Sequence, residues 1–129
     1  EIEASEWLGR PVTFGSAGQD ALALTQNGPA LAVITLGAEG AVFATEDKLA
    51  FHQPALQVEV VDTTGAGDSF CGAMAAWLAD GADAQTAVRA GIAAGTLAVG
   101  VPGAQPSLPD AQRIMALMSR LPECCTLDV

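Results

Sequence analysis

The stretch Asp62-Thr63-Thr64-Gly65-Ala66-Gly67-Asp68-Ser69-Phe70 constrains this chain more than any other part of it. Two glycines interrupt the backbone just before a run with strong helical periodicity. Phe70, Met74, Trp77 and Leu78 recur at i, i+4, i+7 and i+8, which is one face of a helix expected over Gly67 to Ala79. Just upstream, Val58 to Val61 reads as a short strand. Gly65 and Gly67 let the turn tighten and leave no Cβ between the backbone and a ligand. The turn leads into a helix N-terminus, whose unpaired N–H groups and positive dipole end make an anion site.

The rest of the chain fits α/β layering. Residues 1–10 read as a short acidic helix start, and Gly18 to Asn27 as a helix stopped by Gly28-Pro29. Leu31 to Leu36 is a short apolar run with the pattern of a buried parallel strand. After the turn Gly37-Ala38-Glu39-Gly40, Ala41 to Thr45 and Leu49 to Gln53 resemble a hairpin around Glu46-Asp47-Lys48. Helices are expected from about Ala84 to Val99, with Val88, Ile92, Gly95 and Val99 on a stripe, and from about Asp110 to Leu121, with Ile114, Leu117, Met118 and Leu121 inward. The 129 residues, half of them hydrophobic, are enough for one modest core.

Charge narrows the function. Fifteen acids against five bases give a net charge of -10, which argues against a nucleic-acid surface or an anionic membrane surface. Backbone N–H groups and a metal can still bind phosphate on such a chain. The three cysteines, Cys71, Cys124 and Cys125, form no disulfide framework or zinc spacing, so a reducing cytoplasm is expected. The sequence shows no transmembrane run and no targeting peptide.

Asp68, in the first turn of the expected helix, is the candidate catalytic residue. A carboxylate beside a phosphate-binding turn can accept the proton of an attacking hydroxyl, worth roughly 10²–10⁴ in rate. Asp at a helix start is equally a cap, and the residues alone do not separate the two roles. The turn lacks the Lys-Ser/Thr pair of a P-loop. Phe70 stands where G-x-G-x-x-G needs its third glycine, and Ser69 is not in a nucleophile elbow. His52 has no ligand partner at metal spacing. Cys71 reads as small core filler, Cys124-Cys125 as a mobile tail, Trp7 and Trp77 as packing residues, and Lys48 and Arg89 as solvated surface.

The run DTTGAGDSFCGAMA, Asp62 to Ala75, resembles the C-terminal signature of ribokinase-like (PfkB-type) carbohydrate kinases. Three further segments follow the family's order. Ile34 to Gly40 resembles its nucleotide strand-turn, Pro102 to Ser107 its late adenine-side loop, and Glu1-Ile2-Glu3 the end of its N-x-x-E motif. The resemblance implies the C-terminal part of a three-layer α/β fold, with a mostly parallel sheet and flanking helices. It implies an ATP-dependent phosphotransferase acting on a sugar hydroxyl.

Roles follow residue by residue from the resemblance. Asp68 would be the base, and Gly65, Ala66 and Gly67 the anion hole. Thr35, Gly37, Gly40, Gly67 and Ile92 would bind the nucleotide, with Ile92 replacing a polar residue common in ribokinases. Glu3 would act on Mg²⁺ through water. Asp62, Thr64, Ala98, Val101, Gly103 and Ser107 would hold a monovalent cation, K⁺, in members that use one. The whole of residues 1–129 would be a single partial domain, the nucleotide-binding half. The family's other half supplies most of the sugar pocket and the lid through which members often form homodimers. The alternatives are a truncated nucleotide-binding module without transfer and a purely structural fragment.

Overall fold

The computed structural model describes residues 1–26, 28–100 and 109–129. They gather into two compact units: Glu1–Pro54 with Glu123–Val129, and Ala55–Pro122.

The first unit contains α1 (Ile2–Leu8), α2 (Ala17–Thr25), β1 (Leu31–Thr35), β2 (Ala41–Thr45), β3 (Ala50–Gln53) and β4 (Cys125–Leu127). The strands form one sheet in the order β1-β2-β3-β4. Ile34 lies opposite Val42, and Ala44 opposite Ala50. Because side chains alternate along a strand, these four residues share a face. Ala17 and Ala21 of α2 pack with them in a buried core, joined by Leu36 and, at its margin, Leu22 and Leu127. Small residues let the helix lie close. At Gly18 an added Cβ would meet Val129 Cγ1 at 2.9 Å and Leu127 Cδ1 at 3.1 Å, so a larger residue would have to push those side chains aside. Asp20, fully buried on α2, accepts a hydrogen bond from Ser16 Oγ at 2.6 Å and pairs with the half-exposed Arg10. Removing Arg10 would leave a buried carboxylate uncompensated.

The second unit contains α3 (Ala66–Ala79), α4 (Ala84–Val99) and α5 (Ala111–Met118). Helices α3 and α4 form a hairpin around Asp80–Asp83. Phe70 presses on Gly91, where an added Cβ would lie 3.0 Å from the ring. Asp83 caps α4 by accepting from the Thr86 N–H at 2.8 Å, and the bonds it makes with Thr86 hold its carboxyl below the usual aspartate range. Asp110 caps α5 in the same way, through the Arg113 N–H at 2.9 Å.

The α/β class stands, but several local expectations do not. All the strand pairs among the described residues are antiparallel, not mostly parallel. The connections at 36–40 and 46–49 are too short for the crossover that parallel neighbours need. Val58 to Val61 forms no strand; Val58, Val60 and Val61 are exposed, and the Val61 N–H bonds to the Val99 carbonyl instead of a ladder partner. Cys125 is part of β4, paired with His52, so this tail is ordered by the sheet. Cys71 is exposed because the buried face of α3 is Ser69, Phe70 and Ala73. Trp7 is 72 % exposed, since α1 buries none of its residues. Arg89 is no solvated side chain: its guanidinium donates to the Met118 and Pro122 carbonyls, each at 2.7 Å, and ties α4 to the end of α5.

Candidate functional site

The turn before α3 is built by its own polar groups. Asp62 Oδ1 accepts from the Thr64 N–H at 2.8 Å, a local turn that Asp favours. Gly65 then adopts φ 78°, ψ 0°, the left-handed region in which glycine has no steric penalty, and serves as the N-cap of α3. Its carbonyl accepts from the Ser69 N–H at 2.9 Å, and the Ala66 N–H donates to the Thr63 carbonyl at 3.2 Å. The N–H groups of Gly65, Gly67 and Asp68 have no backbone partner among the described residues. An added Cβ at Gly67 would meet nothing within 4 Å, so the space above it is open. Of the expected anion-hole amides, those of Gly65 and Gly67 are therefore available and that of Ala66 is engaged.

Asp68 is exposed in the first turn of α3. The cap position belongs to Gly65, three residues earlier, so the simple capping role is not the one Asp68 fills. Its carboxylate lies where the positive helix end favours negative charge.

Helix α4 supports this turn from behind. The position where Gly95 would carry a Cβ lies 3.5 Å from the Ala66 carbonyl oxygen. The Val99 carbonyl accepts from the N–H groups of Val61 at 2.7 Å and Asp62 at 3.2 Å. These bonds hold the chain at Asp62 against the end of the helix that carries Ala98. The donors there are a carboxylate and carbonyl oxygens, the set a hard cation prefers. Val101, Gly103 and Ser107 lie outside the described residues. Ile92, expected at the adenine, is only 6 % exposed and packs in the helical core.

The remaining expected residues belong to the first unit. Thr35 ends β1 and is exposed; Gly37–Glu39 forms a single 3₁₀ turn. Gly37 has φ 57° and Gly40 φ 91°, both disfavoured for other residues. The Leu36 N–H donates to the Gly40 carbonyl at 2.8 Å, and the Gly40 N–H to the Gly37 carbonyl at 3.1 Å. The Glu1 backbone nitrogen donates to the Thr35 carbonyl at 3.1 Å, which sets the start of α1, with the exposed Glu3 in its first turn, beside the end of β1. His52 Nε2 lies 2.7 Å from the Glu39 carbonyl oxygen. Sequence reasoning misses this contact, although the hairpin register, with His52 opposite Val42, puts it near the strand end where the turn begins.

Among the described residues no group of three or more His, Cys, Asp and Glu could hold a metal ion, and no helix is long and apolar enough to cross a membrane.

Residues 1–111 match the model of the pfkB family carbohydrate kinases. Ribokinase of Arabidopsis thaliana is 32 % identical over 120 residues, which are 92 % of this chain and 32 % of that protein. Its structure with ribose and ATP superposes with a TM-score of 0.81, covering 92 % of this chain and 38 % of the other. Deoxyribokinase of Salmonella typhi is 31 % identical over 120 residues, 92 % of this chain and 39 % of the relative. Phosphofructokinase-2 of Escherichia coli, in complex with potassium, is 29 % identical with a TM-score of 0.79, over 93 % of this chain and 40 % of that one. The chain thus spans about a third of the length of the curated relatives it matches. With its glycine turn, its exposed aspartate and these likenesses in sequence and fold, the chain belongs to the pfkB family of carbohydrate kinases.

Proposed function

We propose that this chain is the nucleotide-binding half of an ATP-dependent sugar kinase and carries its ATP site, anion hole and catalytic base. The observation that carries the reading is the Gly65–Asp68 turn: an exposed carboxylate three residues past a left-handed glycine, beside N–H groups with no backbone partner among the described residues. In the reaction a sugar hydroxyl oxygen bonds to the γ-phosphorus of ATP while the bond to the β–γ bridging oxygen breaks. Asp68 accepts the hydroxyl proton. The N–H groups of Gly65 and Gly67 donate to oxygens of the phosphoryl group as charge moves through it, and Ala66 joins them once its bond to Thr63 opens. Thr35, Gly37 and Gly40 line the nucleotide.

Glu3 is an exposed carboxylate beside the end of β1, and it suits a water-mediated hold on Mg²⁺, which supplies charge neutralisation at the phosphates. Asp62, with carbonyls of Thr64 and Ala98 and with Val101, Gly103 and Ser107, would hold K⁺ and so steady the turn. The complexes of related proteins with ATP and with potassium support ATP and K⁺ as ligands in this reading. The three free cysteines accord with a cytoplasmic protein. Homodimerisation, on this reading, belongs to the lid of the complete protein.

A nucleotide-binding module without transfer is the second reading. ADP release from the complete protein and from this chain alone, across a panel of pentoses and hexoses, separates the two. The complete protein should show sugar-dependent turnover of about 1–100 s⁻¹. The chain alone should fall below about a thousandth of that, because no acceptor is oriented for attack. Nucleotide binding without sugar-dependent turnover in the complete protein would favour the module.

A further inference from the structure

Residues 36–40 form the other glycine turn of the candidate site, and one of its carbonyls is held by a side chain that the proposed reaction leaves unused. His52 Nε2 lies 2.7 Å from the Glu39 carbonyl oxygen, across thirteen residues of chain. A carbonyl oxygen only accepts, so Nε2 is the donor, and it carries its proton whether the ring is neutral or charged. The ring is itself held: Phe14 meets it edge-on, with centroids 4.9 Å apart and planes at 79°. The backbone of His52 is fixed from both sides, opposite Val42 in β2 and opposite Cys125 in β4.

What this contact fixes is a peptide plane. The Glu39 carbonyl and the Gly40 N–H belong to one peptide unit and point in opposite directions. With the carbonyl on His52, the N–H is turned to the Gly37 carbonyl, where it bonds at 3.1 Å. Gly40, which bounds that unit on one side, is conformationally permissive, so on that side the chain does little to resist its rotation. We propose that His52 is a positioning residue for the nucleotide, acting through the Glu39–Gly40 peptide and never touching the ligand. The proposal rests on the reading that Thr35, Gly37 and Gly40 line the nucleotide.

The test compares His52→Leu, which removes the donor, with His52→Gln, whose amide nitrogen can donate from a similar place. Two readouts are taken on the complete protein: amide hydrogen exchange at Gly37–Gly40, and the affinities for ADP and for the sugar. His52→Leu should speed exchange in the turn and weaken ADP binding about three- to tenfold, the range of one net hydrogen bond, with sugar affinity unchanged. His52→Gln should restore most of both. Unchanged exchange and ADP affinity in His52→Leu would overturn the proposal. So would equal losses in both variants accompanied by weaker sugar binding, since that pattern marks general destabilisation. If the wild type binds no ADP, the nucleotide reading fails and takes the ligand part of this proposal with it, while the exchange data still decide whether His52 holds the turn.

Discussion

The two glycine turns, Gly37–Gly40 and Gly65–Asp68, use the same backbone licence in opposite ways. Both contain a glycine in the left-handed region. In the first, the N–H groups of Leu36, Glu39 and Gly40 bond within the turn and the Glu39 carbonyl meets His52, so the turn is largely closed on itself. In the second, Gly65 starts a helix, and the N–H groups of Gly67 and Asp68 have no backbone partner among the described residues. A closed turn can shape a ligand's environment, but it has few donors left to stabilise charge. An open one can receive charge that appears only during transfer, and such groups contribute most to rate. Substitutions in the first turn should therefore act on nucleotide affinity, and those in the second on turnover.

The most severe test of that contrast among the glycines is Gly67→Ala. Its φ is not left-handed and a Cβ there meets no protein atom, so the fold should be unharmed and the helix slightly favoured. The methyl group would occupy the open space, and turnover should fall on the order of tenfold or more, with the melting temperature unchanged. An active Gly67→Ala enzyme would mean that the open space is not where the phosphoryl group passes.

A smaller effect concerns the support behind the open turn. K⁺ should give several-fold faster turnover than Na⁺ in the complete protein, if Asp62 and carbonyls near the end of α4 hold the cation as proposed. Equal rates in K⁺, Na⁺ and a bulky organic cation would remove the cation from the account.

The smallest effect lies away from both turns. Asp83→Ala should cost about 1 kcal/mol of stability, the usual worth of an N-cap, and leave turnover untouched. The folded carboxyl is held below the usual aspartate range, so its contribution is complete above about pH 4 and disappears as pH falls through the depressed value. Thermal unfolding of wild type and variant at pH 7 and pH 3 should show the gap narrowing in acid.

Much of the fold is legible in the sequence alone. The helices at 66–79 and 84–99 begin and end within a residue of where periodicity and turn residues put them, and the hairpin turns at 46–49 as expected. These features are local, and local rules suffice for them. What depends on distant partners is not legible. A three-residue strand such as β4 has no periodicity to read, and Cys125 gains its place only by pairing with His52. Val58 to Val61 has strand composition but finds no neighbouring strand. Arg89 reads as solvated surface and His52 shows no partner in the sequence, because the carbonyls they meet are thirteen or more positions away. At the candidate site, the signature picks out Gly65–Asp68, but only the structure separates the open amides from that of Ala66 and shows Ile92 buried.

The central claim is that Asp68 moves a proton and does not hold nucleotide. Turnover and ADP affinity of Asp68→Asn in the complete protein test it most directly, since the amide keeps the shape and loses the base. The turnover number should fall by at least about a hundredfold, with ADP affinity nearly unchanged. Turnover within about threefold of wild type would contradict it and remove Asp68 from the chemistry.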